Sequence, residues 1–188
     1  PEILRPHLSI VAPGRVRLLA ATLVVLLFVV IASALERMRA YTGEFGLTQL
    51  RLYATAAMLA LAVFTAWLLL SLLRERRRQV MGGALVTGLA AVFALNLLNP
   101  DAFIVRTNLD RANRDFDTAY ALSLSPDATP TIIAGLGRVS DADTRCALAL
   151  GMVSEYSAAR PWQGWTLSHV RADDAIRDNS TALESACP

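Results

Sequence analysis

The sequence contains no lysine; its 18 basic side chains other than histidine are all arginine. We read that as the coding bias of a GC-rich genome rather than as a functional signal. A second absence carries more. Residues 18–35, 52–73 and 80–98 contain no charged side chain. Intramembrane Asp, Glu, Arg and His mark proton relays and ion paths, so their absence argues against a pump or coupled transporter built from these stretches alone. There are two cysteines and two histidines. No P-loop, GxGxxG, HExxH or CxxC pattern occurs, so nucleotide, zinc-protease and dithiol chemistry have no motif to stand on. No alternating run of β-branched residues predicts a sheet, and no internal repeat is visible.

What the chain does have is apolar length. It is 54% hydrophobic over 188 residues, with a mean hydropathy of +0.42, more than an ordinary soluble domain carries. Each uncharged stretch is close to the ~20 residues a helix needs to cross a bilayer. The spacing predicts spans at about 17–35, 51–73 and 80–98. The fold class is therefore all-α: a polytopic membrane protein with three transmembrane helices and a small C-terminal extramembrane helical domain. The boundary falls at Asn99-Pro100, giving a membrane domain over 1–99 and a helical domain over 100–188. The uncharged run after Arg15 and Arg17 is too long for a secretory h-region, and residues 35–39 make a poor cleavage site.

Charge sets the topology. Residues 1–98 hold ten arginines and four acids, and the remainder eight arginines and twelve acids. A basic pI raises nucleic acid as a partner, but this positive surplus flanks membrane spans, and nucleic acid is set aside. Arg5, Arg15 and Arg17 precede the first span, and Arg74, Arg76, Arg77 and Arg78 join the second to the third. Arg37, Arg39 and Arg51 lie across the membrane from these seven. Arginine-rich loops stay in the cytoplasm, so the N-terminus is expected inside and residues 99–188 outside. Tyr41 and Tyr53 sit at the depth where aromatic rings favour the headgroup boundary.

Small residues four apart let helix backbones approach, which marks Ala56 and Ala60 in the second span and Ala84 and Gly88 in the third as packing positions. Trp67, well inside the second span, is expected to pack on protein. Thr48 reads as an N-cap, and Asn99 before Pro100 as another. Helices are expected near 101–114, 116–124, from an Asp127 cap to Gly135 and Gly137, from a Ser140–Asp143 capping box to about 158, and near 167–177. The longest of these carries Cys146, Leu150 and Val153 on one face. Residues 178–188 read as a loose tail unless Cys187 ties them down.

Chemistry is sparse. Asp110, Asp115 and Asp117 resemble a divalent-cation cluster, but interleaved Arg111 and Arg114 favour a solvated helix end. His169 and Asp173 lie four apart with Ser168 adjacent; neighbours on a helix point in different directions, which is not a triad arrangement. His7 stands alone. Trp162 and Trp165 read as the core of a small helical domain, or as an exposed recognition or bilayer-surface pair. Cys146 and Cys187 either form a disulfide, which an oxidising compartment permits, or are two independent thiols with Cys146 a small core residue. No catalytic, cofactor or metal residue is assigned, and no enzyme activity is expected.

The stretch Met38-Arg39-Ala40-Tyr41-Thr42-Gly43-Glu44-Phe45-Gly46-Leu47-Thr48-Gln49-Leu50-Arg51-Leu52-Tyr53 resembles a bacterial membrane family known as the domain of unknown function 4173 type and its 4153 relative. The resemblance continues through Asn96-Leu97-Leu98-Asn99-Pro100-Asp101-Ala102, Asn108-Leu109-Asp110-Arg111-Ala112, residues 120–130 and residues 162–167. It covers roughly residues 36–170 and corresponds to the family's C-terminal portion, so the chain is a short relative or a fragment. It implies a multi-spanning membrane protein with an extramembrane helical tail, and supplies no activity and no catalytic residue.

The expected function is that of a non-catalytic accessory, structural or assembly subunit in the bacterial inner membrane. It would contact the lipid bilayer and pack laterally on a larger membrane complex, for example a respiratory or photosynthetic one. Its C-terminal domain would be periplasmic. The alternative is a component of a membrane transporter whose other spans lie elsewhere.

Overall fold

The computed structural model describes residues 13–74, 80–111, 116–156 and 165–187. The described residues form helices and turns, with no strand among them. Arg76, Arg77 and Arg78, His7, Asp115, Trp162 and the side chain of Arg17 lie outside the described residues.

Three helices are long and apolar enough to cross a bilayer: α1 (Pro13–Phe45), α2 (Gln49–Leu73) and α3 (Val80–Leu98). The first continues ten residues past the expected end at 35. Hydropathy reports the length that lipid can cover, not the length that is helical. Residues 35–40 are Leu, Glu, Arg, Met, Arg and Ala, all strong helix formers. The expected connection over residues 36–49 shrinks to Gly46, Leu47 and Thr48.

Eight further stretches follow α3 among the described residues. They are α4 (Pro100–Leu109), α5 (Thr118–Leu122), a 3-10 turn over Pro126–Ala128, α6 (Thr129–Gly135), a second 3-10 turn over Leu136–Arg138, α7 (Ala142–Tyr156), α8 (Leu167–Asp178) and α9 (Ser180–Glu184). The chain folds as two compact units. One comprises Pro1–Tyr41 with Tyr53–Ala94, the other Thr42–Leu52 with Leu95–Pro188. A boundary drawn at one point in the sequence misses this, because the short connection between α1 and α2 belongs to the polar unit.

The membrane unit has little interior. Among its described residues only Val24, Ile31, Thr65, Ser71 and Gly83 are buried. A Cβ on Gly83 would overlap the ring of Trp67, so the tryptophan lies against the bare backbone of α3 in the way small residues permit. Ala84 and Gly88 face outward, and Ala56 and Ala60 are half-buried. The Thr22 hydroxyl donates to the Leu18 carbonyl at 2.9 Å, which satisfies a polar group that lipid could not.

The polar unit has a continuous apolar core. α4 contributes Ile104, Val105 and Leu109, α6 contributes Ile132, α7 contributes Leu148, Ala149 and Met152, and α9 contributes Leu183. Leu47 enters it from the connection and Leu52 from the first turn of α2. Asn99 breaks the chain between α3 and α4 in the left-handed region, with φ 49°, and its side chain accepts from the Ala102 N–H. Pro100 at the first helical position needs no N–H there.

Several local expectations change. α6 starts one residue later than an Asp127 cap requires, because Pro126–Ala128 forms a 3-10 turn and Ala128 precedes the helix without a side-chain cap. α7 is capped by Asp141 rather than Ser140. The Asp141 carboxylate accepts from the Thr144 N–H at 2.8 Å and from its hydroxyl. Leu150 and Val153 are exposed, and the buried face of α7 is Leu148, Ala149 and Met152. Residues 180–184 are helical rather than loose, with Leu183 buried. α4 ends at Leu109 rather than near 114.

Candidate functional site

The most elaborate arrangement of polar groups surrounds residues 42–51, where the polar unit grips the chain between two spans. Gly46 turns the backbone with φ 79°, a conformation that L side chains adopt only at a cost. Leu47 then presents both its backbone groups to one side chain. Its N–H donates to Asn108 Oδ1 at 2.7 Å, and its carbonyl accepts from Asn108 Nδ2 at 2.9 Å. The Leu47 side chain is meanwhile buried in the core.

Gln49 opens α2 and is held at two points. Its backbone N–H donates to the Tyr120 hydroxyl at 2.7 Å, and its side-chain amide donates to Asp101 Oδ1 at 2.8 Å. The other Asp101 oxygen accepts from the Ser125 N–H at 3.1 Å, so this buried carboxylate is shared between two segments. Thr48 Oγ1 accepts from the Arg51 N–H at 3.4 Å, the bond of an N-cap.

The other end of the connection is the C-terminus of α1. Its last carbonyls carry partial negative charge and lack helical partners. Arg111 donates to the carbonyls of Thr42 and Gly43. Arg51 donates to Gly46 O at 2.6 Å and to Phe45 O at 3.3 Å, with its guanidinium 5.8 Å from the Phe45 ring. Two arginines thus close one helix end. Beside this clamp lies an open cleft of about 320 Å³, lined by Glu44 to Thr48, by Ile104, Val105, Asn108 and Arg111, and by Phe116, Asp117, Tyr120, Ala121 and Leu124.

The residues singled out from the sequence fall elsewhere or in part. Tyr41 and Tyr53 are exposed, and Arg37 Nη2 donates to the Tyr41 hydroxyl at 3.4 Å. Arg15 and Arg74 are exposed. Cys146 and Cys187 are joined by a disulfide that closes the chain across 41 residues and ties the segment just past α9 to α7. Asp110 pairs with Arg138 at 2.7 Å, an exposed bridge of small energetic weight. Asp117 accepts from the Tyr120 N–H at 2.9 Å and caps α5. Among the described residues no three His, Cys, Asp or Glu side chains gather to hold a metal. His169 Nδ1 lies 2.7 Å from Thr166 Oγ1 at the start of α8. Trp165 is exposed.

Sequence reasoning missed the clamp residues Leu47, Gln49, Asp101, Asn108, Arg111 and Tyr120 as a group. One signal was present. Each stands in one of the segments over 38–53, 96–102, 108–112 and 120–130 that carry the family resemblance, and the structure brings those separate segments together.

Three bilayer-length helices and a helical polar unit define an all-α membrane protein. The chain belongs to the family described as Domain of unknown function (DUF4153), whose model matches residues 10–135. No curated protein and no solved structure matches it.

Proposed function

We propose that the chain is a non-catalytic accessory or assembly subunit of a larger complex in the bacterial inner membrane. The observation that carries this reading is the poverty of the membrane unit's interior. The membrane unit buries five described residues, one of them a glycine, which leaves the lateral surfaces of its helices to lipid or to other helices. Gly82 and Gly88 have nothing within 4 Å of a built Cβ, so a neighbouring helix can approach the α3 backbone closely.

The same reading takes the polar unit as periplasmic. Residues 42–52 and 95–188 form one compact unit, which supports a first connection and a tail on the same side of the membrane. The arginine surplus across the membrane favours the outside for that side. The disulfide supports it independently, because such bonds persist in oxidising compartments.

The test is purification of the chain from its native membranes in a gentle detergent, followed by native mass determination. A defined assembly with other membrane proteins at fixed stoichiometry is expected. An isolated chain, monodisperse and without partners after cross-linking in intact membranes, would remove the accessory reading. A chain that conducts solute alone in proteoliposomes would replace it with transport.

A further inference from the structure

The three spans do not share one apolar layer. α1 and α2 belong to one compact unit over most of their length and are joined by Gly46, Leu47 and Thr48 alone, so they run antiparallel. Their buried positions match in pairs, Ile31 with Thr65 and Val24 with Ser71. Counted back from Phe45 at ~1.5 Å per residue, Ile31 and Val24 lie about 21 and 32 Å along α1; counted on from Gln49, Thr65 and Ser71 lie about 24 and 33 Å along α2. In this register Glu36, Arg37 and Arg39 stand level with residues 56–60 of α2, all of them apolar. The contact of Trp67 with Gly83 sets α3 in the same way and brings its apolar residues 90–94 to that level.

The charged groups are not sheltered there. The Glu36 and Arg39 side chains are 72% and 79% exposed. Leu59, Val92 and Phe93 are exposed at the same level. One layer of the unit is thus ionic on α1 and apolar on α2 and α3. The layer in which α1 and α2 are both uncharged spans only residues 22–35 and 60–73, about 21 Å against the ~30 Å of a bilayer's hydrocarbon core.

We propose that this offset makes the α1–α2 hairpin responsive to bilayer thickness, with the clamp on residues 42–51 taking the load. In a thin bilayer the ionic turn of α1 stays among the headgroups. A thicker one covers residues 56–60 and 90–94 with hydrocarbon and draws Glu36, Arg37 and Arg39 into it, which lipid resists. Relief requires α1 to slide along α2 toward the connection. The clamp opposes that movement. Arg111 and Arg51 hold the last carbonyls of α1, while Asn108, Tyr120 and Asp101 hold Leu47 and Gln49. The device works on whichever side of the membrane the polar unit lies, and it needs no protein partner.

The test reconstitutes the full chain in dimyristoleoyl, dioleoyl and dierucoyl phosphatidylcholine bilayers, in order of increasing thickness, and reads amide hydrogen exchange by mass spectrometry. The Leu47 and Gln49 amides, which donate to Asn108 Oδ1 and the Tyr120 hydroxyl, are expected to exchange about tenfold faster or more in the thickest bilayer than in the thinnest. That dependence should disappear in the Glu36→Leu/Arg37→Leu/Arg39→Leu variant, whose substitutions fall at exposed positions. Circular dichroism and an intact disulfide check the variant's fold, and the parent's own dependence is read without any variant. Leu148, Ala149 and Met152, in the core of the polar unit, are the internal control and should exchange at one rate throughout. The proposal is overturned if exchange at Leu47 and Gln49 is independent of acyl length, the mismatch then being absorbed by tilt. It is overturned equally if the variant keeps the dependence, or if the α7 amides respond as strongly, which marks a general loss of stability.

Discussion

Asn108 does with one side-chain amide what a neighbouring strand does with a peptide group: it satisfies the N–H and the carbonyl of Leu47 together. Truncation would leave two half-buried backbone groups short of partners. Asn108→Ala is expected to destabilise the polar unit by about 2 kcal/mol, read from chemical denaturation of the full chain in detergent. Gly46→Ala attacks the same point through the backbone. It forces an L residue into the left-handed region at ~1–2 kcal/mol, and its methyl would lie 3.1 Å from Asn108 Oδ1. Asp141 gives a pH dependence. The hydroxyl and then the backbone N–H of Thr144 donate to its carboxylate and hold its pKa below the ordinary carboxylate value. A depressed folded-state pKa stabilises above the unfolded value and is lost as pH falls through the folded one. The start of α7 should therefore weaken as the pH drops below about 4, and Asp141→Asn, which keeps the cap without the charge, should flatten that dependence in a circular-dichroism titration.

At the scale of elements, what the sequence made legible and what it hid divide along a physical line. The spans were legible because residues 18–35, 52–73 and 80–98 carry no charge, and lipid imposes that condition locally. The break at Asn99-Pro100 was legible because proline and a capping asparagine act on their own neighbours. The clamp was not, since Leu47 and Asn108 are 61 residues apart and Gln49 and Asp101 are 52 apart; no local pattern announces a partner at that distance. The extent of α1 was misjudged because helix propensity carries it past the end of the apolar run. Each expected cap lies one residue before the observed helix boundary: Ser140 and Asp141 could both serve α7, and the 3-10 turn over Pro126–Ala128 leaves α6 to start at Thr129 without a side-chain cap. The disulfide and α9 form one further element-scale device. Closing 41 residues of chain is worth about 4 kcal/mol through restriction of the unfolded state. Cys187→Ser should lower the polar unit's stability by about that amount and release α9, read as proteolytic cleavage beyond residue 178 that the parent resists.

On the scale of the whole molecule, the organisation is two units that interleave along the chain. The polar unit takes its α1–α2 connection from within the membrane half. Anything that displaces the polar unit therefore bears on the end of α1 and the start of α2, through Arg111, Asn108, Tyr120 and Asp101. The proposed function turns on the sidedness of the polar unit. The direct measurement is labelling with a membrane-impermeant maleimide in intact cells, with single cysteines introduced at Ser140 in the polar unit or at Gln79 in the arginine-rich stretch of sequence between α2 and α3. The native disulfide is left in place so that its sulfurs do not react. The account predicts labelling of the Ser140→Cys chain in intact cells and of the Gln79→Cys chain only after permeabilisation. Labelling of Gln79→Cys in intact cells with Ser140→Cys protected would contradict it.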